Sequence, residues 1–207
     1  VRPLATSTLN NKTIMKLMTD KRLFFSRWLR SPRHFGSPIP SSTALAQAMA
    51  AQINPHRSGT VVELGGGTGV VTRALQAAGV TPDNLIILER DRTLHQLLTE
   101  CFPRIRVLRG DAEHLNELLR GEDVQSVSAI VSSLPLLSIP HHSLWAILTQ
   151  SFELMDGEGV FVQSTYGRAS PISEQLLHLL GIKGHPTARI WLNLPPATVW
   201  CFTAKHF

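Results

Sequence analysis

The chain has 207 residues, 43% of them hydrophobic, and a formal net charge of +5, which suits one α/β domain with a substantial core. No run of about 18 apolar residues occurs, and the N-terminal region lacks the continuous apolar core and small-residue cleavage site of a signal peptide, so neither a membrane-spanning helix nor a leader is expected. Cys101 and Cys201 form no metal or redox motif and read as reduced thiols; the nine histidines show no ligand spacing, and the adjacent His141 and His142 point different ways, so no metal is expected.

The basic charge is concentrated at the start. Residues 1–33 carry eight Lys or Arg against one acid, Asp20, while the rest of the chain holds twelve basic and fourteen acidic residues. From Asn11 to Arg30 a helical projection places Ile14, Leu17, Met18, Phe24, Phe25, Trp28 and Leu29 within an arc of about 140°. Lys12, Lys16, Arg27 and Arg30 lie opposite, Arg22 adds to the charge, and Lys21 falls inside the apolar arc, where its stem can lie along lipid while its ammonium snorkels. Leu23 is the one clear violation. The pattern is that of an interfacial helix on an anionic membrane. Two other readings stand beside it: a helix packed on its own domain, and a basic arm for RNA. We divide the chain into this arm, residues 1–40, and a second part, residues 41–207. Val1 in place of methionine predicts a processed start.

Beyond a proline-rich turn from Ser37 to Pro40, Thr43 to Gln52 is predicted as a helix. A β-branched run then leads into VVELGGGTG, Val61 to Gly69, followed by the helical pattern VVTRALQAAG. Glycines suit a turn that adopts positive φ and lets a ligand approach its backbone. A dinucleotide fingerprint reads GxGxxG and seats a pyrophosphate, whereas here the spacing is GxGxG with Glu63 two residues before Gly65. A carboxylate at that place disfavours phosphate and suits a cationic ligand such as S-adenosylmethionine. A bare glycine turn and a dinucleotide enzyme are the alternatives. Glu63, Gly65, Gly67, Thr68 and Gly69 are the candidate contacts.

The second strand, Leu85 to Leu88, ends in Glu89, 24 residues after Gly65; an acid there holds ribose hydroxyls in α/β nucleotide folds. The third, Ile105 to Leu108, closes with Gly110, Asp111 and Ala112. Asp111 suits the adenine amino group, or equally a helix N-cap. The fourth, Ser128 to Val131, runs into Ser132, Ser133, Leu134 and Pro135. Three acids at successive strand ends would line the carboxyl edge of a parallel sheet, where such folds bind ligands. Strand and helix alternate to about Gln163. A short helix after Pro171 and strands Ala188 to Asn193 and Thr198 to Thr203, joined by LPPA, complete a Rossmann-like α/β fold, a mostly parallel seven-stranded sheet with a C-terminal antiparallel hairpin.

These segments together resemble class I S-adenosylmethionine-dependent methyltransferases and, more closely, the bacterial phospholipid N-methyltransferase family. The resemblance rests on FGSPIPSSTALAQAMA, VVELGGGTGVVTRAL, IVSSLPLLSIP, FVQSTYGRASPI and RIWLNLPPATVW. One departure is Gly66, where many relatives carry proline or another residue; the extra glycine is expected to loosen the turn. The resemblance implies stepwise methylation of phosphatidylethanolamine toward phosphatidylcholine, peripherally on the cytoplasmic face of the inner membrane, with a phospholipid substrate, an anionic membrane surface as partner and no nucleic acid.

Methyl transfer to nitrogen needs a neutral amine held in line with the donor and shielded from water. Ser132, Ser133, Leu134 and Pro135 are expected to shape the amine pocket, with His142 and Tyr166 as candidate bases. Tyr166, Arg168 and Arg189 are candidates for the headgroup phosphate. In the related adenine N6 dimethylases the segment after this strand is a polar residue, an aliphatic residue, proline and an aromatic. Here it is Ser133, Leu134, Pro135 and Leu136, without the aromatic that ordinarily stacks a flipped base. A lipid amine is therefore preferred. An RNA adenine N6-methyltransferase and a non-catalytic, membrane-associated cofactor binder are the alternatives.

Overall fold

The computed structural model describes residues 42–191, 193 and 195–205. The chain divides into two units, Val1–Pro38 and Ile39–Phe207. The predicted amphipathic helix and proline-rich turn lie outside the described residues.

Seven strands build one sheet: β1 (Thr60–Leu64), β2 (Leu85–Glu89), β3 (Arg106–Arg109), β4 (Val127–Ser132), β5 (Val160–Tyr166), β6 (Ile182–Ile190) and β7 (Ala197–Ala204). Their order is β3-β2-β1-β4-β5-β7-β6. The first five run parallel, while β7 is antiparallel to both β5 and β6. The predicted seven-stranded, mostly parallel architecture with its terminal hairpin is the one observed.

Why β1, β2 and β4 read as apolar runs is clear from their position: every residue of each is buried, because helices cover both faces of the sheet. Alternate side chains feed two cores. Val61, Ile87, Val131 and Val162 pack with Leu45 and Met49 of α1 (Thr43–Ala50), Leu75 of α2 (Val70–Ala77) and Leu98 of α3 (Arg92–Cys101). On the other face Val62, Leu64, Ile86, Ile130 and Phe161 meet Leu115 of α4 (Leu115–Arg120), Leu148 of α5 (His141–Leu154) and Leu176 of α6 (Glu174–Leu179). Ser42 caps α1 by accepting from Leu45 N at 3.2 Å, and Asp91 caps α3 by accepting from Thr93 N and Leu94 N.

The order in which strands are added reverses at β1. From there the chain builds β2 and β3 on one side, then β4 and β5 on the other. The crevice at the carboxyl ends of β1 and β4 is the place where open α/β sheets take ligands.

Strand β6 begins six residues earlier than its predicted start at Ala188. Gly184 and Pro186 argue for a loop in the sequence, yet the structure places both on the sheet's edge strand, with a register shift between Pro186 and Ala188. An edge strand tolerates a missing N–H, and a bulge absorbs the ring. Gly184 sits opposite Phe202, and a Cβ there would run into the phenyl ring.

Candidate functional site

The loop between β1 and α2 is held from below and open above. Gly65 N donates to Leu88 O at 2.8 Å, and Gly69 N to Gly66 O at 2.8 Å. Gly65, Gly67 and Gly69 have φ of 78°, 55° and 73°, values that a Cβ penalises. A Cβ on Gly67 would meet only Gly65 O, at 3.9 Å, so the free space over the loop lies there. Thr68 is half-buried, and its carbonyl accepts from Arg73 Nη2 at 2.8 Å.

Gly66 corrects the sequence reading of a slack turn. Its φ is not positive, and a Cβ there would collide with Ile87 Cγ2 and lie 2.8 Å from Leu98 Cδ1. Packing beneath the loop therefore calls for glycine at this position.

Glu89 is 8% exposed and braces the loop directly. Its Oε2 accepts from Gly67 N at 2.9 Å and its Oε1 from Asp91 N at 2.8 Å. Each carboxylate oxygen keeps a lone pair for a further donor. The carboxylate thus links the loop to the start of α3, beside the open space over Gly67.

Glu63 lies behind the loop rather than on its surface. It has no exposed area, and its Oε2 accepts from Thr72 Oγ1 at 2.6 Å while Oε1 is buried without a partner. Burial, opposed by the Thr72 hydrogen bond, pushes its pKa up to about 8. Burial therefore favours the protonated form of this group at neutral pH. A cation in the crevice would favour its ionised form through the field rather than by contact.

Asp111 is seen in its capping role: Oδ1 accepts from Glu113 N at 3.2 Å, and Oδ2 pairs with Arg90 Nη1 at 3.1 Å. Its side chain is one-third exposed and sits at the end of β3, with Ala112 buried beside it. Glu63, Glu89 and Asp111 thus occupy the carboxyl ends of β1, β2 and β3.

The loop after β4 forms the opposite wall. Ser133 N donates to Leu64 O at 3.0 Å, which brings the loop against the end of β1, and a Cβ on Gly65 would lie 3.1 Å from Leu134 Cδ2. Ser132 is wholly buried, and its Oγ accepts from Leu134 N at 3.3 Å. Leu134 and Pro135 are half-buried, Leu136 is 3% exposed, and Leu137 is 70% exposed.

The sequence reading missed Gln163. This fully buried side chain of β5 donates through Nε2 to Leu134 O at 2.9 Å and to Ser164 O at 2.6 Å. Leu136 N also donates to Leu134 O, so this carbonyl is locked from two sides. An amide directly after the apolar run Val160 to Val162 is the signal available in the sequence.

The remaining candidates are more dispersed. His142 is exposed in the first turn of α5. Tyr166 is half-buried at the end of β5, in register with Ala197. Arg168 is exposed in the following turn. Arg189 Nη1 donates to Gly167 O at 3.3 Å and Thr198 Oγ1 at 3.4 Å, and its guanidinium lies 4.4 Å from the Trp191 ring centroid. Lys12, Lys16, Lys21, Arg22, Phe24, Phe25, Arg27, Trp28 and Arg30 lie outside the described residues. Among the described residues no three His, Cys, Asp or Glu side chains converge as metal ligands, and no helix is long and apolar enough to cross a membrane.

The arrangement matches known proteins at two levels. Residues 30–154 match the family described as ribosomal RNA adenine dimethylase. The chain is 31% identical over 152 residues to ornithine lipid N-methyltransferase of Singulisphaera acidiphila, covering 72% of this chain and 79% of that protein. It is 24% identical over 182 residues to ribosomal RNA small subunit methyltransferase A of Nitratidesulfovibrio vulgaris, covering 84% of this chain but 62% of that protein's length. The fold superposes on magnesium protoporphyrin IX methyltransferase of Synechocystis PCC 6803 with bound S-adenosylhomocysteine, with a TM-score of 0.61 at 12% identity over 91% of this chain and 99% of that one. With a family match over more than half its length on a methyltransferase fold, the chain belongs to the ribosomal RNA adenine dimethylase family and is an S-adenosylmethionine-dependent class I methyltransferase.

Proposed function

We propose that the protein methylates the amine of a membrane-lipid headgroup, carrying phosphatidylethanolamine and its methylated intermediates toward phosphatidylcholine at the cytoplasmic face of the inner membrane. The observation that carries this reading is the wall after β4. Where the dimethylases hold an aromatic, Leu136 is buried in the core, leaving no ring at that position to stack a flipped base. The ornithine lipid relative supports a lipid amine and adds a second acceptor to test.

In this reading Gly65, Gly67, Thr68 and Gly69 cradle the cofactor, Glu89 takes the ribose hydroxyls, and Asp111 with Ala112 borders the adenine. Glu63 supplies charge from behind the loop. When bound, S-adenosylmethionine supplies a methyl group made electrophilic by its sulfonium. Leu134 and Pro135 form an apolar wall that excludes water, while Ser132 and Gln163 fix that wall from beneath. A primary ammonium with a pKa of about 10 must lose its proton before it reacts, and an apolar pocket favours the loss. His142 and Tyr166 are the candidate acceptors of that proton, and Arg168 and Arg189 the candidate partners of the headgroup phosphate.

Gln163→Leu is expected to lower kcat about tenfold while leaving cofactor affinity within about twofold, because it removes one of the two donors that hold the Leu134 carbonyl without touching the glycine loop. Steady-state kinetics beside calorimetry checks it. Equal losses in both would assign Gln163 to general packing.

The reaction is tested by transfer of labelled methyl from S-adenosylmethionine to vesicles of phosphatidylethanolamine and an anionic lipid, with products separated by headgroup. Parallel arms carry ornithine lipid and ribosomal RNA. Labelled mono-, di- or trimethylated phosphatidylethanolamine is the expected result. The family match and the ribosomal RNA methyltransferase relative favour the second reading, adenine N6-methylation, and label in RNA alone would establish it. Cofactor binding without transfer in any arm would leave a non-catalytic binder.

A further inference from the structure

The cations of this chain do not end with the arm: no Asp or Glu follows Glu174, while Lys183, Arg189 and Lys205 do. Strand pairing carries Arg189 to the edge of the catalytic site, whereas Lys183, in register with Thr203, and Lys205, bonded to Gly181, lie at the opposite end of the hairpin. Ser132, at the end of β4, is in register with Gln163, and β5 continues to Tyr166, in register with Ala197, which in turn faces Ile190. Three residues of extended chain add about 10 Å. The tip of the β6–β7 hairpin therefore overhangs the level at which β4 ends.

At this tip stands Trp191, 64% exposed, with the Arg189 guanidinium stacked on its ring. Arg189 also donates to Gly167 O, and Gly167 N donates to Pro196 O, so the turn that carries exposed Arg168 is tied to the hairpin. Leu137, 70% exposed, stands on the other side in the loop after β4. Two exposed apolar side chains and two guanidinium groups thus share the edge of the sheet that carries the glycine loop.

We infer that this edge is a second membrane-docking surface, belonging to the catalytic domain itself and separate from the N-terminal arm. Its occupant is the interface of an anionic bilayer. An indole suits the headgroup level, where one side is apolar and the other wet. The guanidinium groups complement lipid phosphates, and aliphatic Leu137 gains from the acyl boundary. Arginine and tryptophan would also suit single-stranded RNA, but the exposed leucine favours hydrocarbon. Docking by this edge turns the crevice toward the bilayer, so that a headgroup reaches the site without leaving the membrane plane. The inference rests on the lipid reading above.

The test uses the full chain and phosphatidylglycerol–phosphatidylethanolamine vesicles whose acyl chains are brominated near the headgroup, reading quenching of tryptophan fluorescence. Wild type is expected to show a quenched component that Trp191→Ala lacks, with unchanged cofactor affinity. Leu137→Ser is expected to weaken vesicle binding severalfold, by the loss of one buried apolar side chain. Quenching equal in wild type and Trp191→Ala would overturn the inference, as would a Trp191 signal that responds to single-stranded RNA and not to vesicles. The methyl-transfer assay separates the two claims: lipid methylation without Trp191 quenching sinks the docking surface alone, whereas Trp191 quenching without lipid methylation supports the surface and counts against the lipid substrate.

Discussion

Glu89→Ala is expected to weaken S-adenosylmethionine binding by about 3 kcal/mol, roughly a hundredfold or more in Kd. Two losses add. The proposed ribose contacts are hydrogen bonds to a charged acceptor, worth more than neutral ones. The same carboxylate also accepts from Gly67 N and Asp91 N, so its removal leaves those donors unpaired and frees the glycine loop from the start of α3. Glu89→Gln separates the effects: its amide oxygen retains one acceptor but not both. Calorimetry reads the affinities, and binding unchanged in the alanine variant would remove Glu89 from the cofactor site.

Glu63→Gln is expected to act in opposite directions on stability and on binding. The folded pKa of about 8 lies above the model-compound value of 4.5, so between these values the folded protein holds a proton that the unfolded chain has released. Stability therefore falls as pH rises through that window, by about 1.4 kcal/mol per unit, and levels off above the folded pKa. Glutamine has no such proton. The variant is expected to melt higher than wild type at pH 8 and to lose the slope.

Cofactor binding follows the same linkage with the opposite sign. A cation in the crevice stabilises ionised Glu63, so binding releases a proton below pH 8, and wild-type affinity rises with pH until about 8. Glu63→Gln is expected to bind about tenfold more weakly above that pH and with a flattened pH profile. Titrations in two buffers of different ionisation enthalpy count the released proton. A pH-independent wild-type affinity would show that Glu63 does not sense the ligand.

The parallel strands were legible because strands buried on both faces must be apolar throughout, as TVVEL and LIILE are. Their polar ends were legible for the same reason, since Glu63 and Glu89 break runs that have no other use for charge. The edge strand was harder to read. Gly184 and Pro186 mark loops in local sequence, and only Phe202 opposite and the bulge beside Ala188 make them part of a strand.

The sequence by itself determined the alternation of strands and helices, the glycine loop and the acids that close the strands, because each is a pattern within a short segment. Tertiary structure decided the rest. It placed Glu63 behind the loop instead of on it, because the end of β1 is covered by α2, where Thr72 meets the carboxylate. It brought Gln163 under Leu134, because β5 lies beside β4. It set Trp191 and Arg189 at the carboxyl edge, because β7 runs antiparallel to β5 and returns the hairpin tip to that end. Contacts between residues far apart in the chain are fixed by strand order and register, which no local pattern of residues carries.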